Sequence, residues 1–580
     1  MRAAGLWRSP CTMDSGVPMA DPFTSFHLFF EGCMTFELAR GSRRAATVAI
    51  LLLGSVALPV AAQQVLPLAN QSTPTEQARA FATAIAEAAA GDDAVAGFYR
   101  DRGYVAFWTG AADSERRASL LQALAGAGAQ GLPTLRYDPM ALIAAVRAAR
   151  TEGDRGRVEV AMTLALLDYA RDVQTGALVP AKVNPMIKRE VPVRDRRANL
   201  NAFAASPSPT AFLAALPPAS QEYAQLVKAH FALQLAADTG AWGPEVPARR
   251  VEPGDSGPAF IALRDRLVAQ GYLAPNALAI YDARVGRAVR AFQADHGLNA
   301  DGVAGESTIR ELNVGPGMRL RSVLVAMERE RWSNVDRGRR HVWVNLADFT
   351  AKIIDDGRVT FSTRAVVGER GGDKTTPEFS HMMTYMELNP DWTVPPGIIK
   401  RDYLPRLQAN PNALGHLTIT DRRGRVVKRG SVDFSAYSAS NFPFTLRQSP
   451  GDGNALGKVK FMFPNPYSIY LHDTPHKELF VNEVRDFSNG CIRLADPMDF
   501  AYELLSRQEA DPKKAFHDVL DTGRQERITL KEPIPVHLEY RTAFTTAKGR
   551  MQYRRDVYGR DAQIHAALVK AGVAGDGEAG

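Results

Sequence analysis

Cysteine is scarce in this sequence: 580 residues carry three, Cys11, Cys33 and Cys491. Runs of Lys and Arg are missing as well, and a formal charge of +7 is modest for the length. Binding to nucleic acid therefore has no electrostatic basis, and a polyanionic surface would attract the chain only weakly. There is no H-E-x-x-H helix and no G-x-S-x-G elbow, the usual marks of zinc peptidases and of Ser/His/Asp hydrolases. His472 and His476 do have the four-residue spacing of helical zinc ligands. Pro475 between them disfavours that helix, and a lone thiol makes a poor structural zinc site. No metal or other cofactor is expected. What is present, 45% hydrophobic and 23% charged residues, fits a soluble globular protein, and the chain is too long for one core.

The apolar run at 45–60 follows Arg40, Arg43 and Arg44 and ends in Val60-Ala61-Ala62. A basic start, an apolar middle and a small-residue end make up a secretory signal, and the run is short of the roughly 20 residues that span a bilayer. Residues 1–62 are read as a precursor segment with the signal core at about 40–62, cleavage after Ala62 and a translation start near Met34. No lipid-attachment cysteine follows the run, so a lipoprotein is not expected, and signal cleavage would leave no stable membrane insertion. Cys11 and Cys33 would leave with this segment. Cys491 would then be the one thiol in an oxidising compartment, unable to form an intramolecular disulfide and needing another reason to be kept.

Residues 63–245 are Ala-rich with helical spacing. Val160, Leu164 and Leu167 recur at i, i+4, i+7, giving one apolar face, and the aromatics of "FYRDRGYVAFWTG" (98–110) read as packing under a short loop. Over 246–314 three short amphipathic helices are expected. Ile261, Leu263 and Leu267 mark the first, Val285, Val289 and Phe292 the second, and 308–312 the third, with glycine-bearing turns between them. A linking helix is expected at 315–340. From His341 the period changes to two, with Asp355-Asp356-Gly357 as a hairpin turn. A mostly-β domain is thus expected over 341–545, interrupted by a mixed polar insertion at 400–447. A last strand pair is read from "IPVHLEYRTAFTT" and "GRMQYRRDVYG", the second in a C-terminal remainder, 546–580. The fold class is multidomain α+β.

A thiol attacks a carbonyl as thiolate, and its free pKa near 8.5 calls for a base beside it. His472, in "SIYLHDTP", is the candidate, with enough chain before Cys491 for a strand end, a loop and a return to the same sheet edge. The imidazole needs an acceptor on its other nitrogen. The backbone carbonyl of Asp473 can reach it more easily than the Asp473 side chain, because successive strand side chains face opposite ways. Asn489, Gly490 and Cys491 can present consecutive N–H groups as an oxyanion hole, and glycine at 490 admits a close substrate carbonyl. Arg493 is suited to grip a carboxylate.

Through "YLHDTP" and "FSNGCIRLADP" the chain resembles the L,D-transpeptidases, cysteine enzymes with the mostly-β YkuD-type fold. Many members have Ser/Thr-His-Gly-Cys where this chain has Ser488-Asn489-Gly490-Cys491. The family's base is the upstream histidine, which matches His472. "NLADFTAK", "VVGERGGDKTTPEF", "NPDWTVPPGI" and "NFPFTLRQSPGDGNALGKVKFMFPNPYSIYLHDTP" follow the order of its long, carbapenem-tolerant subclass, which has a helical scaffold, a peptidoglycan-binding module and a lid-like insertion. Residues 254–313 resemble that three-helix module through Gly271-Tyr272-Leu273, Phe292-Gln293, Gly297-Leu298 and Asp301-Gly302.

The resemblance implies a periplasmic, cell-wall-associated enzyme that forms 3→3 peptidoglycan cross-links. Cys491 would attack the third-residue carbonyl of a tetrapeptide stem and expel terminal D-Ala, with His472 moving the proton. The amine of a second stem would resolve the thioester. Arg493, Ser488, Tyr470 and Trp392 are the expected substrate contacts, the last two as cleft walls, and 400–447 a lid that excludes water. Stem peptides and glycan are the expected partners, with cell-wall synthesis proteins as further candidates. A carboxypeptidase or endopeptidase on the same fold and a non-catalytic wall-binding protein are the competing readings.

Overall fold

The computed structural model describes residues 73–573; the signal segment, its cleavage site, the Met34 start, Cys11 and Cys33 lie outside the described residues. From Pro74–Ala88 to Gln221–Thr239 the chain is helical. On its longest helix there, Glu152–Thr175, Val160 and Leu167 are buried and Leu164 half-buried. Phe98, Tyr99, Phe107 and Trp108 pack edge to face beneath the loop that joins them. A buried carboxylate fixes that loop: Glu159 accepts the N–H groups of Phe107, Trp108 and Thr109 and the hydroxyl of Tyr99. An ionised group can stay dry only with such partners.

Three short helices follow, Pro258–Ala269, Ala283–Asp295 and Glu306–Leu312, closed over Leu263, Leu267, Val285, Val289, Phe292 and Leu312. Ile261 is a correction, being 41% exposed. The inward stripe of its helix is Phe260, Leu263 and Leu267, so position 261 falls on the solvent side of the turn.

The linking helix, Pro316–Trp332, carries Arg329, Glu330 and Arg331 into the interior. Glu378 accepts from Arg329 at 2.8 Å and from Arg560 at 2.9 Å, and Glu330 pairs with Arg541 at 2.6 Å. These ion pairs tie the linking helix to the sheet domain and to the last helix, Arg560–Ala571.

The sheet domain runs through β1 (Arg340–Asn345), β2 (Thr350–Asp355), β3 (Arg358–Gly368) and β4 (Phe379–Leu388). A subdomain with the short strands β5 (Trp392–Thr393), β6 (Thr418–Thr420) and β7 (Thr445–Gln448) comes next. Then follow β8 (Val459–Met462), β9 (Leu471–His472), β10 (Asp486–Ser488), β11 (Ile492–Leu494) and β12 (Glu526–Glu539). The nine long-sheet strands lie in the order β10-β3-β11-β9-β8-β4-β12-β1-β2, and β2 also pairs with β3, which closes the sheet on itself. The β2–β3 turn has φ of 46° at Asp356 and 77° at Gly357, the two positive values a tight two-residue hairpin requires. The expected last strand pair is corrected. "IPVHLEY" belongs largely to β12, whose two edges are filled by β1 and β4, so the final hairpin is β13 (Ala543–Thr545) with β14 (Met551–Tyr553). The subdomain is wider than 400–447, since its strands start at Trp392 and end at Gln448, and it has its own apolar cluster. Among the described residues no helix is long and apolar enough to cross a membrane.

Glu378→Ala would leave buried Arg560 without a carboxylate and buried Arg329 with Asp561 alone, at 3.4 Å, and should cost about 3–5 kcal/mol of stability. Urea unfolding measures this; an unchanged midpoint would contradict the role given to the pair.

Candidate active site

The parallel pairing of β9 with β11 sets Ile492 beside Leu471 and Arg493 beside His472. Leu471 and Ile492 are both fully buried in the barrel core. Side chains alternate along a strand, so Tyr470, His472, Cys491 and Arg493 share the opposite, outer face. The same row continues across the sheet: His472 pairs with Lys460, Lys460 with Glu387 and Glu387 with Arg527. His472 thus stands in a line of charged residues, with Cys491 diagonally across from it in the next row.

The ring of His472 is oriented by its own strand end, where Nδ1 lies 2.5 Å from the carbonyl oxygen of Asp473. A carbonyl can only accept, so Nδ1 carries the proton and Nε2 keeps its lone pair. The Asp473 carboxylate is engaged elsewhere, by the N–H groups of Lys458 and Thr474 and by Lys477. Cys491 is half-buried, and its thiol points at the Ser468 carbonyl, 3.6 Å away. Ser468 has φ of 55°, a costly conformation for a non-glycine residue, held because Asn465 accepts the N–H groups of Tyr467 and Ile469 and donates to the carbonyls of Phe463 and Ile469.

Gly490 has φ of 120°, where a side chain would be strained, and a β-carbon there would press on Ile469 at 3.2 Å. Its N–H is taken: it donates to the Ser488 hydroxyl, which donates to the Cys491 carbonyl. The N–H of Gly490 therefore drops out of the expected oxyanion hole, and Ser488, 2% exposed, shapes the turn and does not face a cleft. Trp392 is also corrected. It is 8% exposed and packs within the subdomain's apolar cluster, against Tyr403. Tyr470 is half-buried and packs against both the barrel core and the subdomain core. Asn489 is exposed and accepts from Arg401 at 3.0 Å. Arg401 also pairs with Asp373, so it ties the subdomain to the turn that bears the thiol.

Sequence reasoning missed the support behind the turn. Thr376 donates its hydroxyl to the Gly490 carbonyl at 2.7 Å and accepts the Gly368 N–H at 2.9 Å. Arg560 donates to the Thr376 carbonyl at 2.7 Å. Thr376 lies more than 100 positions before Cys491 and Arg560 about 70 after it, and no local pattern marks either.

Burial pushes the Cys491 thiol up to about 11, against hydrogen bonds from the Tyr470 N–H and hydroxyl and the pull of Arg493. Burial, followed by the positive charge of Arg493, pushes His472 down to about 3. At rest the two groups are a neutral thiol and a neutral imidazole. Arg493 has no carboxylate partner among the described residues, and its Nε is buried without a hydrogen bond. An unpaired guanidinium of this kind leaves room for an anionic ligand group. Among the described residues no three His, Cys, Asp or Glu side chains gather as a metal site would.

Residues 339–515 match a family described as "L,D-transpeptidase catalytic domain". Residues 339–515 thus form a YkuD-type L,D-transpeptidase catalytic domain. Upstream of the transpeptidase domain, 256–312 match a "Putative peptidoglycan binding domain" and 93–229 a "Scaffold domain". A Haemophilus influenzae protein named "Putative L,D-transpeptidase" is 30% identical over 247 residues, 42% of this chain and 49% of that protein. The chain thus spans about half the length of the curated relative it matches. Solved L,D-transpeptidases from Xylanimonas cellulosilytica and Stackebrandtia nassauensis are 16% and 15% identical, with TM-scores of 0.16 and 0.20. Those matches cover 51% and 50% of this chain and 98% and 96% of theirs; TM-scores this low carry no structural argument.

Two outcomes follow for the transpeptidase domain. Alkylation of Cys491 by iodoacetamide should rise with pH by about tenfold per unit from pH 7 to 10 as thiolate forms; a plateau below pH 8 would mean a preformed ion pair. Thr376→Val should slow that alkylation and alter its pH profile while the thermal midpoint moves little, and Thr376→Ser should restore both. Equal loss in Val and Ser variants would make the residue a packing element only.

Proposed function

We propose that the chain is an exported cell-wall enzyme that cross-links peptidoglycan stems 3→3 through a thioester on Cys491. The observation that carries this reading is the unpaired guanidinium of Arg493, on one sheet face with a thiol and with an imidazole whose Nε2 is free. A tetrapeptide stem offers what these groups accept: a carbonyl for the sulfur and a carboxylate for the arginine.

In the first half-reaction Sγ bonds to the third-residue carbonyl carbon while His472 Nε2 takes the thiol proton. The C–N bond to D-Ala then breaks, and His472 gives the proton to the leaving amine. In the second half-reaction the side-chain amine of another stem's diaminopimelate attacks the thioester, its proton passes to His472, and the thiol is released. The peptide bond energy is kept in the thioester, so no nucleotide is needed. Arg493 has a further effect. Its charge helps keep His472 neutral, so a carboxylate bound to it offsets that field and makes the imidazolium easier to form. Proton removal is then favoured when donor is in place. The subdomain tied through Arg401 to Asn489 covers the site against water and so favours amine attack.

Incubation of the purified chain with disaccharide tetrapeptide should yield cross-linked dimers and D-Ala by mass spectrometry. Tripeptide as the only product would make the enzyme a carboxypeptidase, and no product with intact Cys491 would leave a wall-binding protein. A carbapenem should add covalently to the wild type and not to Cys491→Ala. Arg493→Gln should raise KM for the tetrapeptide by about 10- to 100-fold, the size of a lost charged hydrogen bond; an unchanged KM would remove Arg493 from substrate binding.

A further inference from the structure

A second cluster of arginines lies where the three-helix module meets the sheet domain. A cavity of about 220 Å³ is bounded by the module's turn at His296, Gly297 and Asn299, by the β1–β2 connection around Asp348, and by Arg364, Arg485, Arg554 and Arg555. The seam is rigidly made. Arg554 donates to the Asp295 carbonyl at 2.9 Å and pairs with Asp348, Gln552 bonds Asp295, and the Asn299 N–H donates to Glu483 at 3.1 Å. At Gly297 a β-carbon would lie 2.6 Å from Arg554, so the module can sit this close only with glycine there.

The charges in this cavity do not balance. Two carboxylates, Asp348 and Glu483, line it with four guanidinium groups, and Glu311 behind them reaches Arg555 at 3.7 Å, leaving Arg364 and Arg485 unmatched. Asp348 is spent on Arg554 and on the Thr350 hydroxyl, and Glu483 on Arg555 and the Asn299 N–H. Arg485 is 8% exposed and donates only to the backbone carbonyls of Ala365, Asn482 and Phe349. Arg364 is exposed and donates to the Phe480 carbonyl. Neither has a carboxylate partner among the described residues. Burial, opposed by Asp348 and reinforced by the neighbouring Arg364 and Arg554, lowers the pKa of Arg485 to about 10. Clefts lined by one sign of charge concentrate ions of the other.

The location gives the field a use. Arg364 lies two residues before Val366 on β3, and Val366 pairs with Arg493. Arg364 therefore starts from the outer sheet face that carries Cys491 and Arg493. We infer that this cavity is an oxyanion site that holds a carboxylate of a peptidoglycan stem peptide at the seam between module and transpeptidase domain. The inference rests on the proposed substrate, because a wall stem is what supplies a peptide carboxylate here; a phosphate-bearing wall polymer has the same chemistry.

Binding is measured by calorimetry on the full chain carrying Cys491→Ala, which removes turnover, so the outcome is readable whether or not cross-linking occurs. The probes are disaccharide tetrapeptide, the same compound with its carboxylates amidated, and inorganic phosphate. Adding Arg364→Gln should weaken tetrapeptide binding at least fivefold, the amidated compound should bind about as weakly to both proteins, and Arg555→Gln should act in the same direction. With cysteine restored, Arg364→Gln should leave iodoacetamide alkylation unchanged, which separates the effect from damage at the thiol. Unaltered tetrapeptide affinity in both arginine variants would overturn the proposal. Arg364-dependent binding of phosphate without that of tetrapeptide would overturn the stem as ligand and assign the site to a phosphate source.

Discussion

The parallel register of β9 and β11 is the constraint on which the site depends. It seats Leu471 and Ile492 in the core and thereby turns His472, Cys491 and Arg493 to one outer face. A slip of one residue would bury the thiol and expose Leu471 or Ile492, a loss of about 1.5–3 kcal/mol for each apolar side chain left in water. The packing of two aliphatic side chains is therefore also what sets Cys491 and His472 on one face. The turn between β10 and β11 has the narrower task of presenting sulfur, and it is clamped from behind by Thr376, itself held by Arg560.

Electrostatics make this pair a latent one. Burial holds the thiol protonated and the imidazole unprotonated, and the charge of Arg493 adds to the second effect. A thiolate is oxidised more readily than a thiol, whereas a neutral thiol is a weak nucleophile until its proton is removed. A donor that brings a carboxylate to Arg493 changes the balance locally. The charge deficit at the module seam follows the same logic on a larger scale: both places hold cations that the protein itself does not neutralise.

Much of the site was legible in the sequence because its key residues are close together in the chain or marked by local chemistry. The thiol, the upstream histidine and the Asp356-Gly357 hairpin were readable from spacing and turn residues alone, and the order of helical region, three-helix module and mostly-β domain from periodicity together with resemblance. What could not be read depends on distant contacts. Trp392 looked like a cleft wall because an aromatic in a strand gives no sign of which core it joins. Ser488 looked like a substrate contact because it stands three residues before Cys491, yet its hydroxyl is consumed by its own turn. Ile261 was misplaced by one helical position. Thr376, Arg401 and the strained Ser468 had no local signal, since each acquires its role only once the sheet has closed.

His472 rests neutral, with Nδ1 protonated toward Asp473 and Nε2 open on the face that carries a neutral thiol. Nitrogen-15 NMR of the histidine-labelled chain, with His472→Asn to assign the signal, reads both ring nitrogens directly. The account predicts a protonated Nδ1, a bare Nε2 and no titration until the pH approaches about 3. An imidazolium with both nitrogens protonated at pH 7 would contradict it.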